Sequence, residues 1–280
     1  MVGPTHRAAA VQWAISERGV SERAACRALG WSRSTHRRCR RRSRSREPAD
    51  ERRLRELART YPRWGCPLLH QRLRFEGFRI NHKRTERLYR AMDLAMRVRH
   101  KRRLTRAPRP RQPALAPNRC WSLDFMSDAL TSKHGYRWLN VLDDFAREGL
   151  CVRAQLGVPA TRVVQVLDEL IETYGRPAQI RSDNGPEFIA AATQGWAEAH
   201  RIDWTFIQPG KPAENAYVER FNGTFRTEVL DQQAFTDLEE APRIADEWLV
   251  TYNEQRPHRA LGYLPPTLYR TNWQANQSLL

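Results

Sequence analysis

The spacing of apolar positions changes character once along the 280-residue chain. Up to about residue 96 the apolar residues recur at helical intervals, and from Cys120 onward they fall in short runs of strand type. Residues 8–18 predict a helix ended by Gly19, Ser21 caps a second helix that runs to Leu29 and stops at Gly30, and a third begins near Ser32. That third segment reads SRSTHRRCRRR. Helix, short turn and basic helix form the layout of a helix-turn-helix whose last helix enters a major groove. Its candidate DNA contacts are Arg33, Arg37, Arg38, Arg40 and Arg41.

A second helical set covers residues 50–60, 67–77 and the segment after the cap Asn81, with Leu54, Leu57, Leu69, Leu73, Leu88 and Tyr89 as its core. Residues 97–119 mix dense basic charge with repeated proline, which denies them a packed core. They read as an extended linker along DNA, with Lys101, Arg102 and Arg103 as contacts.

Strands are predicted over CWSLDFM (120–126), YRWLNVLDDFA (136–146) and GLCVRAQL (149–156), with turns at Lys133-His134-Gly135 and Glu148-Gly149. A helix over 160–174, the short strand QIRSDNG, a helix over 187–200, the strand IDWTFI and a helix over 214–230 follow. Three strands, helix, strand, helix, strand, helix is the order of a ribonuclease H-like α/β fold, a mixed five-stranded sheet with flanking helices. The expected organisation is a helix-turn-helix unit (1–46), a second small helical DNA-binding unit (47–96), the linker (97–119), a catalytic core (120–235) and a C-terminal helix and tail (236–280).

Charge sharpens this picture. The net charge of +17 points to a polyanionic partner. It is polarised: residues 1–119 hold 33 Lys and Arg against 9 Asp and Glu, and residues 120–280 hold 15 against 22. The front half is a DNA grip, and the back half has another task. Five scattered cysteines form no disulfide framework, and His36 with Cys39 lacks a second pair for zinc. No apolar run reaches the roughly 18 residues of a membrane span, and no signal-peptide core opens the chain.

The chemistry-bearing residues are acidic. Asp124 sits among apolar neighbours in the first strand, where a lone carboxylate is costly. Asp183 closes a strand at its carboxyl end, the place where open α/β sheets bind ligands. Glu219 shares a polar stripe with Asn215, Asn222 and Arg226, beside the apolar stripe Val218, Phe221, Phe225 and Val229. Three converging carboxylates require cations, and oxygen-only ligation selects two Mg²⁺ or Mn²⁺ ions about 4 Å apart. Asp143 and Asp144 are rival acids read as structural, and His258 is read as a packing residue.

Asp183 and Glu219 are separated by 35 residues. That spacing, with SLDF (122–125), SDNGPEF (182–188) and KPAENAYVERFNGTFRTEVLD (211–231), resembles the DDE transposases and retroviral-type integrases. Within them, YNEQRPHRALGYLPPTLY (252–269) and GVSERAACRALGWSRST (19–35) are similar to the second-reading-frame product of the insertion-sequence-three family. The resemblance implies a cytoplasmic bacterial enzyme, acting at the nucleoid, that cleaves and joins strands at its element's terminal inverted repeats. It also implies target DNA as second substrate, a homo-oligomer in the synaptic complex and fusion to an upstream-frame product. Asp124, Asp183 and Glu219 are the implied metal ligands and Arg226 a contact to end DNA; Asn184, Lys211 and Asn215 are either turn or cap residues or further DNA contacts. Two alternatives stay open, a DNA-binding repressor impaired in catalysis and a ribonuclease H-like nuclease. The chain departs from the family pattern at Cys66-Pro67-Leu68, Asp93 and Pro242.

Overall fold

The computed structural model describes residues 4–44, 48–96, 114–208 and 212–278. It divides into two compact bodies, Met1–Arg55 and Glu56–Leu280. In the first, α1 (Pro4–Arg18), α2 (Glu22–Ala28) and α3 (Arg33–Arg44) close around Val11, Ala25 and Cys26. Ser21 accepts from the Ala24 amide at 3.3 Å and Ser32 from the Thr35 amide at 3.2 Å, so both helices start on a side-chain cap.

Helices α4 (Ala49–Thr60), α5 (Cys66–Phe75) and α6 (His82–Ala91) follow. Pro67 lies in the first turn of α5, where its missing N–H breaks no helical bond. Asp93 adopts φ 54°, so the chain leaves α6 through the left-handed turn that a glycine takes more easily.

The sheet contains β1 (Cys120–Ala129), β2 (Gly135–Asp143), β3 (Glu148–Gln155), β4 (Gln179–Ser182) and β5 (Asp203–Phe206) in the order β3-β2-β1-β4-β5. β1, β2 and β3 are antiparallel, while β4 runs parallel to β1 and β5 parallel to β4. This is the ribonuclease H-like arrangement expected. On one face Trp121, Leu123, Leu139 and Val141 pack with α7 (Ala160–Tyr174) and α9 (Ala191–Ala199). On the other, Met126, Trp138 and Leu142 pack with α10 (Ala216–Phe225) and α11 (Ala241–Val250). The period-two alternation of β1 therefore puts Asp124 on the α10 side.

Local chemistry moves several boundaries. β2 stops at Asp143 because its carboxylate accepts from the amides of Phe145 and Ala146, turning the chain over residues 144–147. Glu148-Gly149, expected as the turn before the strand over 149–156, are both part of β3, which begins one residue earlier than that strand. The helix expected over 187–200 is split into α8 (Pro186–Ile189) and α9 by extended Ala190, whose carbonyl accepts from the Thr193 hydroxyl at 2.8 Å. The helix expected over 214–230 is a 3-10 turn (Pro212–Asn215), α10 and a wide π turn (Arg226–Leu230). Pro242 lies in the first turn of α11, where a proline breaks no helical bond, and α12 (Pro266–Gln277) is the last helix. Among the described residues no helix is long and apolar enough to cross a membrane.

Candidate active site

Asp124 is half-buried in β1, and both of its oxygens are engaged. Oδ1 accepts from the Phe125 amide at 2.9 Å, and Oδ2 accepts from Asn222 Nδ2 at 2.8 Å. Asn222 Oδ1 in turn accepts from Nδ2 of buried Asn140, which faces Asp124 across the β1–β2 pairing. Burial pushes the Asp124 carboxyl up to about 7, and the negative charges of Asp183 and Glu219 add to the rise. Asp183 and Glu219 thus both lie within electrostatic reach of Asp124.

Asp183 follows the end of β4, and its Oδ1 accepts from the Gly185 amide at 3.1 Å. Glu219 is exposed in the first turn of α10, where the helix N-terminus favours a negative group. Among the described residues no three His, Cys, Asp or Glu side chains surround a common ion position as they lie. As they lie, Asp124 and Asp183 are turned into hydrogen bonds to Asn222, Phe125 and Gly185. The donor set itself, oxygen-only and mutually repelling, fits a hard divalent cation.

The rival acids are structural. Asp143 accepts from the amides of Asn118, Phe145 and Ala146, and buried Asp144 accepts from Ser122 Oγ at 2.6 Å and pairs with Arg181 at 2.9 Å. His258 is buried; burial and Arg256 drive its imidazole down to about 3, and Nε2–H donates to the Tyr252 carbonyl at 3.3 Å.

The candidate DNA contacts fare differently. Arg33, Arg37 and Arg38 are exposed on α3, although Arg37 forms a two-pronged pair with Glu22 at 3.0 Å. Arg226 donates to the Ser127 carbonyl at 2.8 Å and lies 3.7 Å from Asp128, so it braces the end of β1. Asn184 is exposed and donates to the Ile207 carbonyl at 3.0 Å. Asn215 is a correction: it is 2% exposed and ties α10 to β1 by donating to the Leu123 carbonyl, which removes it from any DNA surface. Lys211, Lys101, Arg102, Arg103 and the side chains of Arg40 and Arg41 lie outside the described residues.

Asn140 was not singled out from the sequence. Its signal was the hairpin register, which sets it opposite Asp124.

An Integrase core domain is matched over residues 114–212 and again over 200–266, and an HTH-like domain over 45–102. With the mixed sheet, these matches define an integrase-core protein of the polynucleotidyl transferase superfamily that carries an HTH-like module. The chain is 38% identical to the "Insertion element IS476 uncharacterized 39.2 kDa protein" of Xanthomonas euvesicatoria, over 99% of this chain and 80% of that relative. It is 41% identical to the "Insertion element IS407 uncharacterized 31.7 kDa protein" of Burkholderia multivorans, over 94% of this chain and 95% of the relative. Among solved structures it is similar to the HTLV-2 integrase catalytic core domain in complex with magnesium. That match has a TM-score of 0.46 and 19% identity, covering 56% of this chain and 98% of that one. The chain belongs to the insertion-element transposases with an integrase-like core, a family whose work is DNA transposition.

Proposed function

We propose that this transposase cleaves DNA strands at the terminal inverted repeats of its element and joins the freed 3′-hydroxyl to a target phosphodiester, using Asp124, Asp183 and Glu219. The observation that supports this reading best is the raised Asp124 carboxyl, buried in β1 and pressed by the charges of Asp183 and Glu219. Those three side chains would hold two Mg²⁺ or Mn²⁺ ions. When bound, such ions supply the charge that activates an attacking hydroxyl and neutralises a leaving oxygen in an in-line displacement.

The chain's own groups orient the acids. Asn222 donates to Asp124 Oδ2, the Gly185 amide donates to Asp183 Oδ1, and the first turn of α10 presents Glu219. In the first step water adds to the phosphorus at the element's end and the 3′-oxygen leaves, taking up a proton. In the second step that 3′-hydroxyl attacks a target phosphorus and a new 3′-oxygen departs. No covalent link to the protein forms. The helical units spanning 1–46 and 47–96, with Arg33, Arg37 and Arg38 among their cations, would hold the end DNA.

The test is a labelled duplex carrying the terminal repeat, incubated with Mg²⁺ and wild type, Asp183→Asn or Glu219→Gln. Loss of both nicking and joining in the variants, with duplex binding kept, is expected. Retained Mg²⁺-dependent cleavage in either variant would overturn the assignment.

A further inference from the structure

The elements that carry the three acids share one neighbour. Asp144, 3% exposed, opens the turn after β2, and its amide donates to the Cys120 carbonyl at 3.0 Å, which seats it against the start of β1. Three links lead out from it. Asp144 Oδ1 accepts from Ser122 Oγ at 2.6 Å, and Ser122 precedes Asp124 by two residues on the same face of β1. Asp144 Oδ2 accepts from Arg181 Nη1 at 2.9 Å, and Arg181 precedes Asp183 by two residues at the end of β4. The Asp144 carbonyl accepts from Arg147 Nη1, and the Arg147 guanidinium lies over the ring of Tyr217, two residues before Glu219 on α10.

Two features set these links apart from ordinary packing. Arg147 takes φ 54°, a left-handed conformation that a residue with a Cβ keeps only where its surroundings hold it, and its side chain is held by Asp144 and Tyr217. Ser122 and Arg181 between them engage both Asp144 oxygens, one through a charged donor, so the carboxylate has a single orientation. A buried ion pair adds little net stability over apolar side chains of the same size, whereas its directional bonds fix geometry. Geometry is what the site requires. The charges of Asp183 and Glu219 both press on Asp124, and that repulsion tends to part β1, β4 and α10 at the level of the acids.

On the reading of Asp124, Asp183 and Glu219 as the metal site, we propose that Asp144 is a positioning residue of this transposase. With both oxygens engaged it supplies no ligand; through Ser122, Arg181 and Arg147 it holds the three acid-bearing elements in the register that lets their carboxylates share cations. Supports behind the ligands set metal affinity by limiting how far the ligands recoil from one another before an ion binds.

The test compares wild type with Asp144→Asn/Arg181→Met, Arg147→Met, Arg181→Lys and the control Val163→Ala, which trims a buried side chain of α7 on the other face of the sheet. Removing both charges of the pair together leaves no buried charge without a partner, so the double variant is expected to fold. Mn²⁺ affinity is measured by isothermal titration calorimetry, and cleavage of a terminal-repeat duplex is followed across a range of Mg²⁺ concentrations. In the double variant and in Arg147→Met the Mn²⁺ affinity is expected to weaken about tenfold and half-maximal cleavage to need about tenfold more Mg²⁺, with the rate at saturating Mg²⁺ near that of wild type. Arg181→Lys, which keeps a cation for Asp144, is expected to recover part of the affinity. Val163→Ala is expected to melt at a lower temperature yet bind Mn²⁺ like wild type. Affinities in the double variant and Arg147→Met equal to that of Val163→Ala would overturn the positioning role and leave the metal-site reading standing. A wild type that takes up no Mn²⁺, and whose cleavage Asp183→Asn leaves unchanged, would overturn both.

Discussion

Asn222 Nδ2 donates to Asp124 Oδ2 at 2.8 Å, and the same amide's oxygen accepts from Asn140 Nδ2 at 2.7 Å. A two-amide chain thus runs from the middle of β2, through α10, to the first acid of the candidate site. Because Asn222 lies three residues after Glu219 on α10, one helix both presents an acid and orients another.

Asn222→Leu should break both links at nearly constant volume. The buried Asn140 amide would lose its acceptor, at a cost of about 1–3 kcal/mol in urea unfolding. Asp124 would lose its positioning donor, so Mg²⁺-dependent cleavage should need more metal for half-maximal rate. An unchanged metal requirement would show that the amide chain is only structural.

Arg137 pairs with Glu187, which stands four residues beyond Asp183, and its guanidinium lies 4.0 Å over the Phe125 ring. Glu187 is 14% exposed on its side chain, and its Oε2 has no hydrogen-bond partner among the described residues. Arg137→Ala should leave a largely buried carboxylate uncompensated and cost about 2–3 kcal/mol, somewhat below a fully buried pair. Adding Glu187→Gln should recover most of that loss. Urea unfolding of both singles and the double gives the coupling, and strictly additive effects would deny that the pair anchors the Asp183 segment.

Gly149 has no room for a side chain. A Cβ there would lie 2.5 Å from Leu249 Cδ1 and 2.6 Å from Phe221 Cε2. Its amide and carbonyl are both taken by the Asn253 side chain, at 2.9 and 2.7 Å, so the strand cannot retreat freely. Gly149→Ala should cost about 1–3 kcal/mol by overpacking α10 and α11. A urea midpoint equal to wild type would mean that these helices yield more readily than the packing implies.

Residue patterns made the succession of strands and helices legible because the strands β1 to β4 are short, largely apolar runs broken by turn-forming residues, whereas their order in the sheet comes from pairing. The candidate acids stood out for the same reason: Asp124 interrupts an apolar run, and Asp183 ends one. What escaped is the polar chemistry between elements. Asn215 carries the same amide whether it points to DNA or to the Leu123 carbonyl, and only the approach of α10 to β1 decides. Gly149 read as the junction of a turn and a strand, whereas the need for a glycine there comes from the crowding of Phe221 and Leu249, which lie far away in sequence. The Ala190 break inside a helical pattern depends on Thr193 folding back onto three carbonyls.

The raised Asp124 carboxyl makes a prediction that does not depend on turnover. Its folded value of about 7 lies above the ordinary 3.8, through burial first and the charges of Asp183 and Glu219 second. Between those values, in chelator, the folded chain keeps a proton that the unfolded chain has released. Stability should therefore fall as pH rises through this window, and the loss should be complete above about 7. Asp124→Asn removes the ionisation, so its stability in chelator should overtake that of wild type as pH rises from 4 to 8. Mg²⁺ should reverse the order at pH 8, because a ligand that binds only the folded form stabilises it in proportion to RT ln(1 + [L]/Kd), and the variant has lost a donor. Thermal melts at several pH values, with EDTA or with Mg²⁺, measure both effects. Parallel pH curves and equal Mg²⁺ shifts for the two proteins would refute the placing of Asp124 among mutually repelling metal ligands.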